Sequence, residues 1–185
     1  MTTVGRPRDS VEPRTLNTGE RAGYDTPVLA AGGIMTGGQM AAMMAAGAAG
    51  AWTGSVWLAT PEAETSEAFR DKMIAARSRD TVRSASRTGK PARQLRTAWH
   101  DAWDGDEDPG SLPMPLMGMV SEPAFARIER AAVAGNEDAL ALVSYFVGQG
   151  VGLVEQVRPA RQVVQDFREE FVEAVGTLSR YLGTD

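Results

Sequence analysis

Two glycine-rich turns stand out in this sequence as places where chemistry could occur. Gly32-Gly33 follows the apolar run Pro27 to Ala31, and Gly54-Ser55 follows a second run at about Ala49 to Thr53. A phosphate needs several donors converging from one side. Two exposed backbone turns at the C-terminal ends of adjacent parallel strands can supply them. Glycine lets the backbone approach an anion closely and adopt turns closed to other residues. The Ser55 hydroxyl adds one donor. The same glycines also suit bare turns in an α/β protein, and spacing alone leaves both readings open.

Other reactive groups are scarce. The chain has no cysteine and a single histidine, His100. Thiolate catalysis, disulfides and His-cluster metal centres are therefore excluded, and no metal ligands are assigned. His100 follows Trp99 and precedes an acidic stretch, a context that fits a structural or solvent-exposed side chain. No catalytic residue is assigned. The glycines form no G-x-G-x-x-G fingerprint. Gly89-Lys90 lacks both the upstream glycine and the following Ser or Thr of a phosphate-binding P-loop.

The elements that must hold the turns can be read around them. Pro27 to Ala31 does not alternate, as expected of a parallel strand buried on both faces. Thr36 with Gln39 fits a capping box. A helix is expected from about Gly37 to Ala46, with Met40, Met43 and Met44 able to face the sheet and Gly47 ending it. A strand at about Ala49 to Thr53 completes a parallel βαβ unit. The helix N-terminus points at the same place as the glycine turns and adds its partial positive charge. Trp52 and Trp57 flank the second turn, either covering the sheet or reaching a ligand.

Further helices are expected at about Thr65 to Arg77, capped by Thr65, and at Pro123 to Ala134, Asn136 to Phe146 and Pro159 to Leu182. In the last, Val164, Phe167, Phe171, Val175, Leu178 and Leu182 recur at three- and four-residue spacing. The basic stretch from Asp80 to Arg96 reads as a solvated, salt-paired face or an ordered loop. The methionines at helical spacing read as core.

The 185 residues carry a formal net charge of -5. A mildly acidic chain has no general field to attract nucleic acid or anionic lipid, so neither is expected as a partner. The stretch before Thr26 has no hydrophobic period and no export signal, and a cytoplasmic location is the default expectation.

Three ordered motifs together resemble the nitronate monooxygenase family and its related FMN-dependent enoyl reductases. Pro27 to Leu58 resembles the strand-seven to strand-eight segment of that (β/α)₈ barrel, with Ala31-Gly32-Gly33-Ile34, Gly47-Ala48 and Gly54-Ser55 on the family pattern. Asp80 to Arg96 resembles its Thr-Gly-Lys/Arg-Pro-Ala-Arg stretch, and Tyr145 to Leu153 its late Gly-Gln-Gly segment. The resemblance implies an α/β fold: the C-terminal part of a TIM barrel followed by a mainly helical segment. It divides the chain into a mobile or non-homologous leader (1–26), a partial-barrel FMN phosphate-binding segment (27–79) and a loop and helical segment (80–185). It implies FMN as cofactor, held by Gly32, Gly33, Gly54 and Ser55, with Gln149 and Gly150 near the flavin or substrate mouth. It implies oxidation of alkyl nitronates with O₂ to carbonyl compounds and nitrite.

The family's Gly-Gly-His-type segment, which carries its general base, has no counterpart in this sequence. A closed barrel typically needs about 250 residues, and only 26 precede the strand-seven motif. An inactive truncated paralogue, or a phosphate-ligand binding module, is therefore the alternative. Self-association or a partner chain over open sheet edges is also expected.

Overall fold

The computed structural model describes residues 26–106, 109–181 and 183. The leader therefore lies almost wholly outside the described residues. Two small sheets and six α-helices are seen among the described residues.

The first sheet is the parallel pair β1 (Leu29–Ala31) and β2 (Gly50–Trp52), with Ala30 opposite Ala51. Helix α1 (Gly37–Ala45) connects them. Thr36 caps α1, its Oγ1 accepting from the Gln39 N–H at 3.1 Å. Gln39 reaches back one residue further than in a capping box, accepting from the Met35 N–H at 2.7 Å. Gly47 ends the helix at φ +103°, donating to Met44 O while the Ala48 N–H bonds Met43 O, a Schellman closure.

The expected two-sided burial of β1 is not found. Ala30 is buried, whereas Leu29, Ala31 and Trp52 are exposed, because α1 covers one face and no described element covers the other. Trp52 is accordingly not a core residue. Met40 and Met43 pack on Ala30, Ile34 and Ala48, but Met44 turns outward. Among the remaining methionines Met35, Met73 and Met117 are core and Met119 is 72% exposed.

A 3-10 turn at Ser55–Ala59 leads toward helix α2 (Glu67–Ala75). Ser66 caps α2, not Thr65, whose hydroxyl donates instead to Leu58 O at 2.7 Å. Phe69 and Met73 are buried as the periodicity requires.

The basic stretch, expected as a solvated, salt-paired face or an ordered loop, holds an antiparallel hairpin. Strand β3 (Thr81–Ser84) pairs with β4 (Ala92–Leu95), and Tyr145 to Val147 adds backbone bonds along β4. Gly89 at the hairpin turn has φ +80°, and a side chain there would overlap the backbone of Leu112 to Met114. Among the described residues, one of its arginines is a solvated, salt-paired residue: Arg96, which meets Asp101. Arg87 is buried instead. Its guanidinium forks onto Glu122 at 2.8 and 3.1 Å, donates to Ser144 O at 3.1 Å and lies 4.3 Å from the Phe125 ring centroid.

Helix α3 (Ala98–Trp103) follows the hairpin. Helix α4 (Leu116–Val133) starts well before Pro123 and carries that proline within it. Helix α5 (Glu137–Leu142), capped by Asn136, stops short of the expected Phe146, because Tyr145 to Val147 pairs with β4. Lys72 donates to the carbonyls of Ala141 and Val143 at 2.8 and 2.7 Å, holding the end of α5 against α2. Burial lowers its pKa.

Helix α6 (Ala160–Tyr181) matches the expected long amphipathic helix; Leu182 lies outside the described residues. Val163 is buried and Phe167 stacks near Trp57 at 6.5 Å, but Val164, Val172, Val175 and Leu178 are exposed. No described helix is long and apolar enough to cross a membrane.

Candidate functional site

The glycine turns meet at one end of the β1–β2 pair. Gly32 and Gly33 have φ of +102° and +73°, so the first turn favours glycine at both positions. Open space surrounds Gly32 and Gly54: a Cβ built on either would meet nothing within 4 Å. Gly54 itself sits at negative φ, so its value is access and not handedness. The first amides of the 3-10 turn at Ser55–Ala59 have no acceptor within it, as at any helix start.

A third segment closes on these two. The Ser55 hydroxyl accepts from the Gly148 N–H at 2.7 Å, which leaves its own proton free to be donated. A Cβ on Gly148 would lie 3.8 Å from the Gly33 amide nitrogen. One on Gly150 would press on Met35 Cγ at 2.5 Å and on the Gly33 carbonyl at 2.9 Å. Glycine at 148 and 150 is thus what lets this loop approach the strand end. Gln149 is exposed, with its side chain across from Gly33; its carbonyl accepts a hydrogen bond from the Ser78 hydroxyl. Gly32, Gly33, Gly54, Ser55, Gln149 and Gly150 therefore share one locality. Gly148 belongs with them and was missed. Its signal was in the sequence: Gly148, Gly150 and Gly152 alternate.

The α1 N-terminus does not contribute as expected. Glu170 of α6 accepts from the Gly37 N–H at 2.6 Å, and a Cβ on Gly37 would overlap the α6 backbone at Phe167. With the Gln39 N–H on Thr36 Oγ1 as well, two of the first amides of α1 are held by the chain's own groups. Glu170 supplies there the negative charge that the helix dipole favours.

Trp57 is half-buried, and its indole N–H donates to Thr53 Oγ1 at 2.9 Å, so it braces the second turn from behind. His100 lies elsewhere, on the short helix α3, and is 1% exposed. Its Nδ1 accepts from the Thr97 N–H at 3.1 Å. Burial pushes its pKa below the ordinary 6.5, against opposing pulls from Asp104, the Thr97 backbone bond and Asp101. It is a structural histidine.

Beside the glycine turns lies an open hollow of about 570 Å³, bounded by Gly33, Gln39, Arg79, Arg93, Gln149 and Gly150 among others. A separate cavity of about 310 Å³ sits between Phe69, Phe125, Tyr145 and Arg87.

With this geometry in view, comparison with known proteins is informative. The family model described as nitronate monooxygenase matches residues 7–170. The Mycobacterium tuberculosis protein Rv1533, whose name calls it a monooxygenase, is 56% identical over 154 residues, 83% of this chain and 41% of its own length. The nitronate monooxygenase of Pseudomonas aeruginosa is 30% identical over 145 residues, 78% of this chain and 39% of that protein. Among solved structures, nitroalkane oxidase from Streptomyces ansochromogenes superposes with a TM-score of 0.69 at 34% identity, covering 86% of this chain and 43% of that one. FabK from Thermotoga maritima gives 0.66 at 33% identity, covering 86% and 49%. The chain thus spans about 40% of the length of the curated relatives it matches.

Proposed function

We propose that this chain, which belongs to the nitronate monooxygenase family, carries the phosphate cradle of an FMN site in the strand-seven to strand-eight region of a (β/α)₈ barrel. The observation behind this reading is the meeting of three sequence-distant glycine segments at one strand end. Gly148 stands beside both partners: its N–H bonds the Ser55 hydroxyl, and a Cβ built on it would lie 3.8 Å from the Gly33 amide nitrogen. A phosphate fits such a place, because open backbone at Gly32 and Gly54 admits it without displacing a side chain.

In this reading Gly32, Gly33, Gly54 and Ser55 hold the phosphate through N–H groups and the Ser55 hydroxyl. Gln149 and Gly150 border the side from which the rest of the cofactor extends. Bound FMN supplies the redox chemistry, by which an alkyl nitronate and O₂ yield a carbonyl compound and nitrite. The chain's own share is to bind and orient. Met35, packed beneath Gly150, and Trp57, hydrogen-bonded behind the turn, keep the cradle fixed. None of its described side chains is assigned a proton-transfer step, and His100, buried on α3, takes none.

The alternative is a chain that binds a phosphate ligand without turnover. It is favoured by His100, the single histidine of the chain, which is buried on α3 and not at the cradle. Flavin-fluorescence titration tests the main reading. Replacing Gly33 by Val, at φ +73° and facing the cradle, is expected to weaken FMN binding at least about tenfold. Unchanged affinity sinks the cradle. Nitrite release from an alkyl nitronate with added FMN then separates the two readings: turnover supports the enzyme, and flavin binding without nitrite supports the binding module.

A further inference from the structure

The hollow beside the cradle has a feature that the flavin reading leaves unused. Arg79 and Arg93 both line it, and among the described residues neither has a carboxylate within ion-pair distance. Two other arginines of the basic stretch are disposed of differently. Arg87 is buried on Glu122, and Arg96 pairs with Asp101.

Arg93 is also held in place. Its Nη1 donates to Thr81 Oγ1 at 2.9 Å, and that hydroxyl donates to Ser78 O at 2.7 Å. The Ser78 hydroxyl in turn bonds the Gln149 carbonyl. One chain of hydrogen bonds thus ties the guanidinium to the loop that covers the glycine turns. Across the hairpin, Arg93 stands directly opposite Arg83, a like-charge pairing that costs stability unless an anion relieves it. Gln39 and Gln149 also line the hollow.

A site with two guanidiniums, neutral amides and no bordering carboxylate suits a multiply charged oxyanion. Guanidinium forks match phosphate oxygens in geometry and stay charged at all relevant pH values. We infer that this hollow binds a phosphate group other than the flavin's own, carried by a second phosphate-bearing ligand, with Arg93 and Arg79 as its cationic contacts. The two anion sites share the wall at Gly33 and Gln149 but use different donors: backbone amides in the cradle, guanidiniums in the hollow.

The test is calorimetric titration of the purified protein with pyrophosphate, with inorganic phosphate and with ADP, each with and without saturating FMN. Arg79→Gln and Arg93→Gln variants are measured beside the wild type. Arg79 is exposed and its side chain makes no hydrogen bond or ion pair among the described residues, so its variant keeps the test valid if Arg93→Gln fails to fold. The expected result is pyrophosphate binding in the presence of FMN that falls about tenfold or more in either variant, as for loss of a charge-assisted bond. FMN affinity should change less than about threefold. Tighter binding of ADP than of pyrophosphate assigns the group to a nucleotide tail, and equal binding to an inorganic anion. Pyrophosphate affinity that ignores both substitutions overturns the inference. So does a parallel loss of FMN affinity, which gives the arginines to the flavin phosphate. If FMN does not bind at all but pyrophosphate binding still depends on the arginines, the hollow stands and the cradle reading falls.

Discussion

The two small sheets solve opposite problems. At the β1–β2 end the surface on offer is backbone: glycines at positive φ, open space, and one hydroxyl shared with a neighbouring loop. At the β3–β4 hairpin the structure is locked by side chains, with Arg87 inserted among Glu122, Ser144 and Phe125. The parallel pair is left accessible and the hairpin end is closed. Substitutions at the first should act on ligand binding, and at the second on folding. The junction of α1 with α6 is the exception that links them, because Gly37 has no space for a side chain although it stands near the open end.

The largest effect is expected at that junction. Gly37→Val forces α1 off the α6 backbone and should destabilise the protein by about 3 kcal/mol or more, at the upper end of overpacking costs. Urea denaturation measures it. A loss below about 1 kcal/mol means that α6 does not pack on α1 as described. Next comes Arg87→Ala, expected to cost about 2–4 kcal/mol in the same assay. That is somewhat below the range for a fully buried pair, because the Glu122 side chain is half exposed and can be hydrated. If Arg87→Ala lowers FMN affinity in proportion to its stability loss, the division of labour between the two sheets fails.

The smallest effect concerns His100. Its native pKa is lowered by burial, so between that value and the ordinary 6.5 the unfolded chain binds more protons than the folded one. Stability therefore rises with pH across this window, and is lost as the pH falls below about 6.5. His100→Gln should flatten the acid side of the stability profile. It should leave FMN affinity unchanged. An equally steep loss in the variant assigns the acid sensitivity to other groups.

Much of the glycine end was legible because its signals are local. The Thr36 cap, the Gly47 stop and the short apolar strands each follow from a few neighbouring residues. The errors came where distant contacts decide. Thr65 and Ser66 are both good caps, and only the pull of Leu58 O on the Thr65 hydroxyl selects Ser66. The strands of the hairpin are masked by Arg83 and Arg93, which break the apolar alternation while standing side by side across it. Burial of Arg87 could not be read from a charge-rich stretch, since its partners lie 35 and 57 residues away. Glu170 stands in a charged stretch of α6. It became the partner of the α1 terminus only when α6 was folded back against it. For the site itself, Gly148 was the missing member because its role depends on Ser55, 93 residues distant.

The α6 helix extends the same lesson to association. Its pattern was clear, yet the half beyond Phe171 buries little, with Val172 69% exposed and Leu178 46%. Apolar residues arranged along one helix and left in water mark a surface suited to contact. The expectation of self-association or a partner chain remains a proposal. Light scattering of the purified protein checks it: an oligomer that Val172→Lys or Leu178→Lys converts to monomer supports it, and a monomeric wild type contradicts it.

The central claim is that backbone at Gly32, Gly33, Gly54 and Ser55 recognises a phosphate. The most direct measurement compares FMN with riboflavin, which differs only by lacking that group, in fluorescence-quenching titrations of the wild type and Gly33→Val. The account predicts that the wild type binds FMN at least about a hundredfold more tightly, the scale of two charge-assisted hydrogen bonds, and that Gly33→Val removes most of that preference. Equal affinity of the wild type for FMN and riboflavin would contradict it.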